Sequence, residues 1–104
     1  MDYRKILAEL ALRSPCRKKF GVIVLYRGKI VGKGFNYVVG KFSVHAEEAA
    51  IHSVRDKRIL PKCSIILARL KEDTFVQCKC CDRCHNKIQK AGISKVHPFT
   101  TDSY

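Results

Sequence analysis

Tyr3, Ile6, Leu7, Leu10 and Ala11 recur at the i, i+3, i+4, i+7 spacing of an amphipathic helix, with Arg4, Lys5 and Glu9 between them. This pattern predicts a helix over residues 2–13. Pro15 stops it, because proline lacks a backbone N–H and disfavours helical backbone in the residue before it. Residues 20–26, FGVIVLY, form an apolar, β-branched run suited to a buried strand. Arg27-Gly28-Lys29 turns the chain, and residues 30–35 return as the second arm of a hairpin. Gly32 and Gly34 within that arm predict a bulge or the close approach of another backbone. Residues 36–43 read as loop.

From His45 the period is helical again. Ala46, Ala49, Ala50 and Val54 share a face, Glu47 and Glu48 fall in the first turn where the helix dipole favours acids, and the helix is expected to end before Pro61. Residues 63–70 read as a third strand and residues 71–75 as a polar connection. Residues 82–91 read as a helix closed by Gly92, and residues 94–99 as a last short strand interrupted by Pro98. The order α-β-β-α-β-α-β, with a hairpin first and a right-handed βαβ crossover last, predicts an α/β sandwich of about four strands. No repeat, low-complexity tract or linker divides the chain, and its 104 residues suit a single domain over residues 1–104.

Composition narrows the class. An apolar fraction of 46% excludes a wholly disordered chain. The longest apolar run, residues 22–26, is far short of the roughly 18 residues of a membrane-spanning helix. The opening residues lack the apolar block of a secretory signal, so the expectation is a cytoplasmic protein with no membrane partner. Lys and Arg number 21 against 9 Asp and Glu, a net charge of +12. Two knots concentrate it: Arg13, Arg17, Lys18 and Lys19, and then Arg55, Lys57, Arg58 and Lys62 around Asp56. Such clusters suit phosphate on a nucleotide or nucleic acid, with a solvated basic face as the plainer reading.

The six cysteines lie at positions 16, 63, 78, 80, 81 and 84, four of them within seven residues. Neighbours so close bridge one another only under strain, so metal binding explains the crowding better than disulfides. Cys16 and Cys63 stand alone and read as small buried hydrophobes. His45-Ala46-Glu47 opens one helix, and Cys81-Asp82-Arg83-Cys84 opens the other. Two thiolates three residues apart and one imidazole make three ligands with a fourth position open, the layout of a catalytic rather than a structural zinc. Glu47 is then within reach of a water at the open position without being a ligand. A rival register draws on Cys78, Cys81 and Cys84 with His85 or His97 as a closed structural site, leaving His45 and Glu47 without a role. Cys81 to His85 also fits the C-x-x-C-H pattern of haem attachment, for which Met1 is the single methionine available as an axial ligand.

GKGFN at 32–36, HAEEAAI at 45–51, CKCCDRC at 78–84 and KAGISKV at 90–96 fall in the order of a known family. The chain resembles the cytidine and deoxycytidylate deaminase superfamily, whose signature is H-x-E followed by P-C-x-x-C. That resemblance implies a three-layer α/β/α sandwich, zinc held by His45, Cys81 and Cys84, and Glu47 as the proton shuttle. It further implies Asn36 on the sugar of the substrate and the backbone of Ala46 facing the base. The match departs in two respects. Cys80 stands where the family has proline, and the chain stops after its fourth expected strand, a trimming that leaves a face for a partner subunit in a homo-oligomer.

The His-Ala-Glu form resembles the members that handle phosphate-bearing substrates. The reading is hydrolytic removal of the exocyclic amine from a cytosine nucleotide or nucleoside, releasing ammonia, with Arg17, Lys18 and Lys19 as phosphate contacts. One alternative is a deaminase of cytosine or adenine within single-stranded DNA or RNA, with Phe35, Tyr37 and Phe42 available for stacking. Another is a non-catalytic, zinc-stabilised nucleic-acid-binding module.

Overall fold

Val22 and Val24 are buried in one apolar cluster and Ile23 in another, the two-residue period of a strand covered on both faces. The same alternation runs through residues 65–70, where Ile65 and Leu67 join the first cluster and Ala68 and Leu70 the second. These two strands are the middle of the sheet in the computed structural model, which describes residues 3–72, 74–78 and 81–100. Along the chain the elements are α1 (Tyr3–Arg13), β1 (Lys19–Tyr26), β2 (Lys29–Phe35), β3 (Tyr37–Val39), β4 (Phe42–Val44) and α2 (Ala46–Ser53). A short 3₁₀ helix (Lys57–Lys62), β5 (Ser64–Lys71), β6 (Thr74–Val76), α3 (Asp82–Lys90) and β7 (Lys95–Pro98) follow. Asp2, expected in the first helix, Cys80 of the cysteine run and Met1 lie outside the described residues.

The main sheet runs β2-β1-β5, antiparallel, and the far side of β5 is shared. β7 pairs in parallel with Ser64 to Leu67, while β6 pairs antiparallel with Arg69 to Lys71. Leu7, Leu10 and Ala11 of α1 cover one face, and Ala46, Ala50 and Ile88 of α2 and α3 cover the other. The architecture is therefore the expected three-layer α/β/α sandwich, with five strands in the sheet rather than four.

The fifth strand is β6, within a stretch expected to be a polar connection. Its single buried residue, Phe75, meets Phe99 edge to face at 5.2 Å and anchors it. Residues 36–43, expected as loop, fold into the β3–β4 hairpin, with Gly40 at φ 58° in its turn. Val38, Val39 and Phe42 remain 55%, 58% and 77% exposed, so local pairing rather than burial makes this hairpin. The second helix, patterned as far as Val54 and expected to end before Pro61, ends at Ser53. Val54 takes extended backbone, and the Lys57 ammonium donates to the carbonyls of Ile51, His52 and Val54, a cationic closure of the helix's negative end. Pro61 lies inside the following 3₁₀ helix. Pro98 does not interrupt the last strand; it ends it, opposite Leu67.

The β1–β2 turn has Arg27 and Gly28 both at positive φ, 52° and 78°, the two-residue geometry whose twist matches a hairpin. Val31 is the extra residue of a bulge, since Val24 faces Gly32 and Leu25 faces Ile30. The two strand glycines answer to close packing as well. A Cβ on Gly34 would lie 2.4 Å from the Ala50 nitrogen and 2.6 Å from the Ala46 carbonyl oxygen, and one on Gly32 2.7 Å from the Ala50 oxygen. Helix α2 thus rests directly on the backbone of β2. Gly34→Ala is expected to lower stability by about 2–3 kcal/mol, because the obstacle is backbone that cannot turn aside. Urea unfolding checks this, and a loss below about 0.5 kcal/mol would contradict the packing.

Candidate active site

α2 and α3 each begin with an unusual cap. The N-cap of α2 is His45 and that of α3 is Cys81, and neither side chain makes a capping hydrogen bond. Ser, Thr, Asp and Asn are the residues that satisfy the free N–H groups there, and giving them up costs about 1 kcal/mol per helix. Both side chains turn to each other instead. The His45 Nδ1 lies 2.9 Å from the Cys84 sulfur and 3.3 Å from the Cys81 sulfur. All three donor atoms fall within 4.8 Å of one another. Donor atoms gathered this closely, one imidazole nitrogen and two cysteine sulfurs, are a set that would hold a zinc ion.

Exposure is graded across the cluster: Cys81 exposed, His45 half-buried, Cys84 fully buried. Burial drives the Cys84 thiol far up from its ordinary range, and the Glu47 carboxylate and the neighbouring Cys81 push it the same way. A cation among these donors reverses that logic and holds the sulfurs as thiolates. The positive ends of both helices lend further support to the anionic donors. The donor set fits zinc.

Among the described residues, this is the one grouping of three metal-ligating side chains. Cys78 is not in it; its sulfur faces the Leu67 carbonyl, and it packs on the core. His85 and His97 are exposed and also outside it, so the closed cysteine-rich site is not what these residues form. Cys63 is buried in the core as expected.

A cavity of about 300 Å³ opens over the cluster, walled by Phe20, Asn36, Tyr37, Ala46 and Glu47, with His45 and Cys81 in its lining. Glu47 is 6% exposed, and among the described residues no Lys or Arg pairs with it. Asn36 uses its amide twice on backbone, accepting from the Phe20 N–H at 2.9 Å and donating to the Lys18 carbonyl at 2.7 Å. It thereby pins the start of β1 to the end of β2 at the cavity wall.

The basic residues divide. Lys18 lines the cavity, Arg17 is exposed, and Lys19 donates to the Ser14 carbonyl. In the second knot Lys57 caps α2 and Arg58 pairs with Asp56 at 3.0 Å, so half of that knot has intramolecular work. Of the aromatic residues, Tyr37 lines the cavity and lies 5.8 Å from Phe35, while Phe42 is out on the hairpin.

Two features escaped the sequence reading. Cys16, expected to be buried core, lines the cavity. Glu48 joins the helices: its carboxylate lies 3.1 Å from Arg83 Nε and 2.8 Å from Lys87 Nζ, both on α3. Arg83 and Lys87, four residues apart on one helix face, were the available signal. Burial pushes the Glu48 carboxyl up, but the Lys87 hydrogen bond and the charges of Lys87, Arg83 and His45 outweigh it and hold it below the usual carboxylate range.

Known proteins share this fold. The cytidine and deoxycytidylate deaminase zinc-binding region matches residues 2–100. The dCMP deaminase of the cyanophage S-TIM5 superimposes with a TM-score of 0.69 at 22% identity, over 96% of this chain and 82% of that one. The cytidine deaminase of Mycobacterium tuberculosis gives a TM-score of 0.64 at 17% identity, over 97% and 86%. The Thermotoga maritima diaminohydroxyphosphoribosylaminopyrimidine deaminase/5-amino-6-(5-phosphoribosylamino)uracil reductase gives 0.65 at 29% identity, over 90% of this chain but 27% of that one. No curated protein sequence matches significantly. Fold and metal centre together define a zinc-dependent hydrolytic deaminase. The chain belongs to the cytidine and deoxycytidylate deaminase family. Among the described residues no helix is long and apolar enough to cross a membrane.

Cys84→Ser is expected to lose the bound zinc and to lower the melting temperature, since metal affinity contributes to folding. His45→Ala is expected to lose the zinc as well. Metal analysis of both purified variants checks this; one full equivalent of zinc on His45→Ala would restore the closed cysteine site.

Proposed function

We propose that the protein removes the exocyclic amine of a cytosine nucleotide or nucleoside, giving the uracil form and ammonia. The observation that carries this reading is Glu47, a buried carboxylate with no cationic partner among the described residues, in the wall of a base-sized cavity beside His45 and Cys81. Held by His45, Cys81 and Cys84, zinc supplies Lewis-acid chemistry that lowers the pKa of a water towards neutrality.

The chain's own residues do the rest. Glu47 accepts one proton from the attacking water and delivers it to the ring nitrogen N3; it then takes the second from the new C4 hydroxyl and passes it to the amine as the C4–N bond breaks. Proton count is conserved: water's two hydrogens end on the product and on ammonia. The N–H of Ala46 has no intrahelical partner at the first position of α2, so it is free to meet the base. Asn36 keeps one amide hydrogen and one lone pair beyond its two backbone bonds, enough to hold a sugar hydroxyl. Lys18, in the cavity lining, meets a substrate phosphate, with Arg17 and Lys19 beside it in sequence. The exposed Val38, Val39 and Phe42 support association of identical subunits through the β3–β4 hairpin.

Glu47→Ala is expected to retain zinc and to lose at least about a hundredfold in turnover. Activity above a tenth of wild type would remove Glu47 from the proton path. Ammonia release from cytidine, dCMP, and cytosine- or adenine-containing oligonucleotides identifies the substrate. Release from dCMP or cytidine supports the proposal; release from oligonucleotides alone would replace it with deamination inside a single strand of nucleic acid. Zinc without ammonia from any of them would favour a nucleic-acid-binding module.

A further inference from the structure

α3 is weakly anchored by apolar burial. Of its nine residues, DRCHNKIQK, Cys84 and Ile88 alone are buried, and Cys84 belongs to the metal cluster. With Ile88 the one buried apolar residue of α3 outside the metal cluster, apolar packing within the helix puts little restraint on a small displacement against α2. Such a movement would change the separation of the imidazole on α2 from the two sulfurs on α3. Polar contact supplies what burial does not. Glu48, in the first turn of α2, reaches across to Arg83 and Lys87, one helical turn apart on α3. The pairing engages both carboxylate oxygens: Oε2 accepts from Lys87 Nζ at 2.8 Å and from Arg83 Nη2 at 3.3 Å, while Oε1 faces Arg83 Nε at 3.1 Å as an ion pair without hydrogen-bond alignment.

We infer that Glu48, with Arg83 and Lys87, is a positioning residue that sets the distance between His45 and the two thiolates and so tunes zinc affinity. This rests on the reading of His45, Cys81 and Cys84 as the ligands. Glu48 is three residues from His45 and Arg83 is next to Cys84, so displacement of the clamp passes to the donors through less than one helical turn. The Glu48 side chain is 12% exposed, whereas Arg83 and Lys87 are 53% and 51% exposed, so the pairing has a fixed anion and two cations that salt can screen.

The test is competition for zinc between the purified full-length protein and a chromophoric chelator, alongside melting of the metal-free protein. Glu48→Gln keeps the shape and removes the charge. Its zinc affinity is expected to fall by about tenfold, as for other residues that orient metal ligands, with metal-free melting little changed. Wild-type zinc affinity should decline with added salt and that of Glu48→Gln should not. Lys87→Gln and Arg83→Gln should each lose part of the affinity, and they carry the test if Glu48→Gln fails to fold. The reversed pair, Glu48→Lys with Lys87→Glu, should recover most of it. Zinc affinity within twofold of wild type, or a loss no larger than the change in metal-free stability explains, would overturn the inference. A wild-type protein that binds no zinc is a different result: it would overturn the ligand reading itself, and the clamp's proposed role with it.

Discussion

The position of the site depends on one contact between backbones. Gly34 lets the first turns of α2 lie against β2 at a distance no side chain permits, with the Ala46 carbonyl and the Ala50 nitrogen directly above it. Packing at this depth leaves α2 little freedom to translate. His45 is therefore fixed relative to the sheet by the strand beneath its helix. The same strand ends at Phe35, next to Asn36, whose amide ties β1 to β2 where the cavity opens. Metal donor and cavity wall consequently share a single rigid support.

On that support the two helix starts trade local stability for chemistry. A histidine and a cysteine occupy positions where capping residues would be favoured, and a buried carboxylate follows one of them within two residues. Left without a cation, the buried thiol is driven towards its neutral form by desolvation and by the adjacent carboxylate. The site is thus an unfavourable cluster in isolation and a favourable one around a divalent ion. That dependence on the ion is what distinguishes it from the core beside it, where Ala50, Val54, Ile65 and Leu67 need no partner but one another.

Much of this was legible in the chain, for definite reasons. The α1 stripe, the β1 run and the strand of β5 are patterned by burial, and burial writes a period into sequence. The cluster of His45, Cys81 and Cys84 was legible because few residue types bind zinc, and because the spacing of each motif matches a helix start. What stayed hidden has no periodic signature. The β3–β4 hairpin is largely exposed and made by local pairing, so its apolar residues alternate with nothing. β6 rests on Phe75 alone, and one buried residue is no pattern. The end of α2 depends on Lys57 reaching three carbonyls, a tertiary cap no local rule anticipates. Cys16 joins the cavity only through the path of the loop before β1.

The shared flank of β5 has an effect of its own. Two pieces, of four and three paired residues, cover it end to end in opposite directions, meeting beside Ala68. A single long strand there would present an unbroken row of amides and carbonyls to any passing extended peptide. Broken into short lengths that run contrary ways, and ended by Pro98, the border offers no register in which a foreign strand could zip along it. On this side of the sheet, such a margin works against edge-to-edge pairing with another chain.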